Sequence, residues 1–299
     1  MKLTGGVRFT IAFTGNDADE NILDLYDISQ ALVGLQRSLA LTTHLILNDE
    51  IITQSPALKG ARIYSLPAEP GSWKMTTIVI ATGAAIFQIG TAQNNSPLGH
   101  LIYSLYDYVV SESLGIHVDF NKSLGVLYEE AQKNKQKLPE IRESQADSLL
   151  EKCHTAIREL HRPIYKNQSA VEGRIVANIT GRSIPMHTVL TQETYEFISD
   201  TQTTEVPEIF EGLVTSYNTN TFKGRVFIPK FGRPISFDIS PIIRTPHTAR
   251  IITTSLRNTA IKALEVRGSQ VHLLAVRNTS RSGHLKSITI LKISDEPMQ

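Results

Sequence analysis

From Tyr195 onward the chain is written in short β-prone runs separated by turn signals, a texture that suits a small sheet-based domain. Glu211–Tyr217 and Phe222–Ile228 flank Asn218-Thr219-Asn220-Thr221, which reads as a hairpin turn. Lys230-Phe231-Gly232-Arg233-Pro234 then turns the chain into Ile235–Ile239. His247–Asn258 has helical spacing, with Ile251, Ser255 and Asn258, or Ile252 and Leu256, facing inward. Gln270–Val276 and Leu285–Ile293 flank a polar loop, Arg277–His284. Five short strands and one helix predict a small closed or nearly closed β-barrel of SH3-like or OB-like kind.

The preceding stretch reads differently. Val7–Phe13 alternates apolar and polar residues as a half-buried strand does, and the acid-rich Asn16–Glu20 follows as a loop. Asp27, with Gln30 three residues on, makes a capping-box pattern. Ile28, Leu32, Leu35, Leu39 and Ile46 then share one helical face. Ala61–Leu66 and Trp73–Ile80 form a hairpin around the Pro/Gly segment Pro67–Ser72. Pro97 opens a helix striped by Leu98, Leu101, Leu105 and Val109, and further helical patterns cover Lys122–Lys135 and Glu143–Leu160. The fold class is therefore α+β. Residues 1–166 form a mixed α/β body, 167–206 a connecting region where neither pattern holds, and 207–299 a basic β-rich barrel. At 299 residues the chain is long enough for two cores, at about 100–200 residues per domain.

The formal net charge of +1 conceals a split. Phe222–Ser294 holds 13 Lys/Arg against two acids, Asp238 and Glu265, a net of +11. Such asymmetry points to an anionic partner, or to an acidic protein surface on which the basic domain docks. The candidate nucleic-acid-binding residues are Arg225, Lys230, Phe231, Arg233, Arg250, Arg257, Arg277, Arg281 and Lys286. Arg244 and Arg267 add to the same basic set, interleaved with Tyr217, Phe222, Phe227 and Phe237. Arginines neutralise phosphates and exposed aromatics stack bases, which is why this mixture on a small barrel suggests DNA or RNA.

Other chemistries find little support. The cluster Asp17, Asp19, Glu20, Asp24 and Asp27 lacks the EF-hand offsets, and acids before a helix suit its dipole. His154 and His161 lie seven residues apart beside Cys153, too far for the four-residue helical zinc pattern. Neither GxxxxGK[ST], a strand-linked GxGxxG nor GxSxG occurs. The expectation is a binding protein rather than an enzyme, with no metal and no cofactor. A single cysteine and an N-terminus without an apolar signal core suggest the reducing cytoplasm. Met75–Ala92 carries no charge over 18 residues. Its four threonines, two glycines and one glutamine fit a buried strand and helix better than a membrane span.

The order strand, acidic loop, helix with Leu32-Val33-Gly34-Leu35, then Pro70-Gly71-Ser72-Trp73, resembles a group of uncharacterised bacterial two-domain proteins. The C-terminal Glu211-Gly212-Leu213-Val214 and Arg267-Gly268-Ser269-Gln270-Val271 extend the likeness over most of the chain. Members of that group often accompany mobile elements or phage-defence genes. The resemblance implies a cytoplasmic role in antiviral defence and brings no catalytic residues. The leading expectation is a nucleic-acid-binding barrel, with the body mediating self-assembly or docking. The alternative is a structural or adaptor subunit of a larger complex.

Overall fold

Alternation places Val7, Phe9, Ile11 and Phe13 on one face of strand β1 (Val7–Thr14), and all four are buried. In this computed structural model, which describes residues 6–66, 73–82, 97–133, 138–179 and 181–298, β1 is the middle strand of a five-stranded sheet. Its companions are β2 (Ala61–Ser65), β3 (Lys74–Ala81), β4 (Glu172–Ile179) and β5 (Arg182–Leu190). The order is β2-β3-β1-β4-β5, and every neighbouring pair is antiparallel. Phe9 lies opposite Thr77 on β3 and Ala177 on β4. The chain divides into two compact units, Met1–Ile198 and Ser199–Gln299.

Helices α1 (Leu25–Asn48), α2 (Pro97–Ser113), α3 (Phe120–Lys133) and α4 (Glu143–Glu159) join the buried faces of these strands in one core. A short α5 (Arg162–Tyr165) and α6 (Gln192–Ser199) follow. The predicted stripe on α1 is recovered at Ile28, Leu35, Leu39 and Ile46, which are buried, while Leu32 is half-buried. The helix starts earlier than the capping pattern suggested. Asp24 is its cap, accepting the Asp27 N–H at 2.9 Å. Asp27 is instead buried and accepts from Arg162 Nε (2.9 Å) and Asn167 Nδ2 (2.8 Å). A cation delivered from α5 gave that carboxylate a use no local pattern contains.

The segment 167–206, expected to connect the domains, holds β4, β5 and α6, and the first unit runs to Ile198. Ile175, Ala177 and Ile179 alternate inward on β4, but their partner strand lies far upstream at β1. Of the uncharged stretch Met75–Ala92, residues 75–81 belong to β3 and 83–92 lie outside the described residues. Among the described residues no helix is long and apolar enough to cross a membrane.

The second unit contains β6 (Gln202–Thr203), β7 (Glu208–Asn218), β8 (Lys223–Ile228), β9 (Arg233–Ile239), α7 (Pro246–Ala260), β10 (Gln270–Thr279) and β11 (Leu285–Ser294). Strands pair β7-β8-β9-β11-β10, and β10 returns to β7, so five strands close a barrel. β9 and β11 run parallel, with Phe237 opposite Ile288. Numbered within the barrel, the order is 1-2-3-5-4, with a parallel 3–5 pair and a helix between 3 and 4. That is OB-type connectivity, and it decides between the two barrel kinds the sequence admitted.

Val214, Val226, Ile235, Phe237, Leu273, Ile288 and Ile290 fill the barrel, and Ile251 and Ile252 bring α7 onto the same core. Ser255 fixes the helix: its Oγ accepts the Val214 N–H at 3.1 Å and donates to the Ser269 carbonyl at 2.5 Å. Gly224 leaves room for the Phe237 ring, which a Cβ there would strike.

Candidate nucleic-acid interface

The barrel sorts the predicted residues into three environments. Arg281 is exposed at the tip of the loop between the fourth and fifth barrel strands. That loop is ordered by its own bonds: the Ser280 N–H donates to the His284 carbonyl (2.8 Å), and the His284 N–H to Ser280 Oγ (3.1 Å). Gly283, at φ +83°, supplies the left-handed residue the turn requires. Arg250 and Arg257 are exposed on α7, where Arg250 donates to His247 Nδ1 at 3.1 Å.

A second group gathers where the loop between the second and third strands meets the fourth. Glu208, at the start of β7, holds Arg277 Nη2 (2.6 Å) and Lys230 Nζ (3.5 Å) on its two oxygens. Lys230 also lies over the rings of Phe210 and Phe231. Those rings pack 5.9 Å apart, and Phe231 is half-buried against the barrel core. Arg233 donates to the Leu285 carbonyl at 3.2 Å. This end is therefore basic in composition but partly neutralised in place.

The third group faces the protein itself. Arg225, expected to contact nucleic acid, is only 3% exposed and is already engaged within the protein. Lys286 donates to the Asp200 carbonyl (2.9 Å) and Thr201 Oγ1 (2.6 Å), and burial lowers its ammonium pKa. It ties the segment leading into β6 to the barrel. Alternation along a strand gives no warning of this, because the covering groups come from elsewhere in the chain.

Glu208 is the site residue that sequence reasoning missed. It lies outside the basic window, yet folding returns it to two of the cations. The second unit as a whole carries 13 Lys/Arg against 8 Asp/Glu, a net of +5, so its flanking acids soften the +11 of the window. Glu296 likewise pairs with Arg267, and Asp238 with Arg244. Arg244 also covers the ring of Phe222, 4.7 Å from its centroid.

The remaining candidates take structural roles. Asp19 accepts the Gly15 N–H at 2.7 Å, Asp24 caps α1 and Asp27 pairs with Arg162. Among the described residues no three His, Cys, Asp or Glu side chains converge as a metal site. Cys153 is buried, and desolvation pushes its thiol up to about 12. His154 Nε2 lies 3.1 Å from the Ile198 carbonyl. His161 is buried between the Ile157 carbonyl (3.1 Å) and Thr194 Oγ1 (3.0 Å), and desolvation lowers its pKa to about 4. One contact had no sequence signal at all. Exposed His187 on β5 pairs through Nδ1 with buried Asp107 of α2, whose other oxygen accepts the His187 N–H at 2.9 Å. It fastens the edge strand of the sheet to the helix layer.

Fold and site together define a two-unit α+β protein whose C-terminal unit is a basic barrel of OB-type connectivity. The chain belongs to the family described as Domain of unknown function (DUF7946), which it matches over residues 9–199. Residues 207–294 match a second one, Family of unknown function (DUF7947). No curated protein and no solved structure matches the chain.

Proposed function

We propose that this is a non-enzymatic protein that binds DNA or RNA through its C-terminal barrel. The observation that carries the reading is the connectivity of the barrel combined with Arg281 on its ordered fourth–fifth loop. Barrels of this kind bind oligonucleotides over the second and third strands and through the first–second and fourth–fifth loops. Here those loops are Thr219–Phe222 and Ser280–His284. Arg250 and Arg257 add exposed cations on α7, and Lys230, Arg233 and Arg277 a second basic cluster. Arg225 and Lys286 take no part in contacting the ligand in this reading. The cytoplasmic setting in antiviral defence proposed with it rests on the sequence resemblance alone.

A mobility-shift series with single- and double-stranded DNA and RNA, run across a salt gradient, tests the reading. Binding at low salt that weakens linearly in log–log form is expected. Absence of binding to all four probes at low salt overturns it. It would favour instead a structural subunit whose basic domain meets an acidic protein surface.

A further inference from the structure

The two sides of α7 have different surroundings. Thr248, Ile251, Ile252, Ser255 and Asn258 are buried, and the bonds of Ser255 to Val214 and Ser269 hold the helix on the barrel. His247, Arg250, Thr253, Arg257 and Ala260 are exposed, and their spacing of 3, 3, 4 and 3 puts them on one stripe. The helix contains no Asp or Glu. Arg250 donates to His247 Nδ1 at 3.1 Å, and among the described residues neither Arg250 nor Arg257 meets a carboxylate. Both guanidiniums therefore keep their charge, unlike Arg277 and Lys230, which share Glu208.

On the footing that the second unit binds nucleic acid as proposed, we infer that its ligand is duplex DNA and that the exposed stripe of α7 enters the major groove. Three features select this ligand. The major groove of B-form DNA, about 12 Å wide, admits an α-helix, whereas the deep, narrow major groove of duplex RNA does not. Single strands are held largely by stacking their bases on aromatic rings, and among the described residues the second unit exposes no Phe, Tyr or Trp. Its rings are already engaged: Arg244 lies over Phe222, Lys230 over Phe210 and Phe231, and Tyr217 stacks on Phe237. The stripe itself allows close approach, with the small Thr253 between the two arginines. Seven residues separate Arg250 from Arg257, which is about 10 Å along the helix axis or about three base-pair steps. At that spacing one guanidinium can hold guanine O6 and N7 while the other reaches a second base or a flanking phosphate.

Fluorescence anisotropy on the nuclease-treated full chain tests this, with a labelled DNA duplex of mixed sequence, each of its strands alone, and a duplex RNA of the same sequence. The DNA duplex is expected to bind most tightly. The double variant Arg250→Ala with Arg257→Ala is expected to weaken that binding by about tenfold or more for each arginine. Its melting temperature is expected to stay unchanged, since both side chains are exposed. Where the alanine variant loses its fold, Arg250→Lys with Arg257→Lys replaces it; this pair keeps the charge without the guanidinium fork, so a smaller loss is expected. Methylating guanine N7, which lines the major groove, is expected to weaken binding, and the minor-groove ligand netropsin to leave it unchanged. A DNA duplex bound no better than a single strand or duplex RNA overturns the inference. So does wild-type affinity in a folded variant, indifference to N7 methylation, or displacement by netropsin. In each of those cases the second unit still stands as a nucleic-acid-binding domain. Absence of binding to every probe overturns that reading, and the role of α7 with it.

Discussion

Arg277 Nη2 lies 2.6 Å from Glu208 Oε1, so a cation on the fourth barrel strand is held by a carboxylate at the start of the first. The other oxygen of Glu208 lies 3.5 Å from Lys230. One carboxylate thus occupies two cations in the way a bound phosphate would. A partly exposed pair of this kind contributes little stability, about 0–1 kcal/mol. It nevertheless competes with any anionic ligand for both side chains. Glu208→Gln is expected to tighten binding to nucleic acid and to steepen the salt slope by roughly 1 for each cation that gains a phosphate. Mobility shifts across a salt gradient measure it. An unchanged slope in a variant that still binds would show that this end of the barrel does not meet the ligand.

Burial separates two arginines that look equivalent in the sequence. Arg281→Glu is expected to weaken nucleic-acid binding while changing stability by less than about 0.5 kcal/mol, as exposed substitutions do. Arg225→Ala is expected to act the other way, destabilising the second unit by about 2 kcal/mol or more, because it removes a large side chain that is buried and engaged within the protein. Urea denaturation beside binding isotherms distinguishes them. Equal effects of the two substitutions on stability would contradict the environments described above.

The contrast shows where the sequence is legible. Local periodicity marked α1, α2, α4 and the β2–β3 hairpin, because their patterns repeat within one element. The barrel, too, was readable from its alternation and turns, down to a choice between two barrel kinds. What chose between them is the parallel pairing of Phe237 with Ile288, a contact between strands separated by a helix. The β4–β5 hairpin escaped for the same reason, since its place is set by β1. The site was legible as composition and not as geometry. Thirteen cations can be counted, but the withdrawal of Arg225 into the protein, Lys286 onto Asp200 and Arg277 onto Glu208 depends on chain segments brought together only by folding.

His161 gives the first unit a pH dependence. Its Nδ1–H donates to the Ile157 carbonyl and its Nε2 accepts from Thr194, so the buried ring is satisfied as a neutral group. Desolvation holds its pKa near 4 when folded, against 6.5 as its ordinary value. The unfolded chain therefore binds more protons between these values. Stability is full above pH 6.5 and falls as the pH drops towards about 4, below which this contribution is flat. The loss attributable to this residue is on the order of 3 kcal/mol. Urea midpoints measured down to about pH 4 are expected to fall faster for the wild type than for His161→Phe. Parallel curves would mean that the ring is not buried as a neutral group.

Cys153 provides a probe of the same unit that needs no substitution. Its thiol is buried in α4 within the helix-and-sheet core, and desolvation pushes its pKa to about 12. The thiolate is the reactive form, so burial both hides the sulfur and suppresses its reactive state. Alkylation of the native protein is then expected to require opening of the helix layer. Its rate should follow the population of open molecules, rising steeply with urea and approaching that of a free thiol beyond the unfolding midpoint. Substitutions that loosen this layer, such as Asp27→Asn at the Arg162 contact, are expected to accelerate labelling, whereas Arg281→Glu in the barrel is expected to leave it unchanged. Labelling followed by mass spectrometry reads all three. Rapid, stoichiometric modification of the folded wild type would contradict the burial of Cys153 and the packing of α4 against α1 and α2.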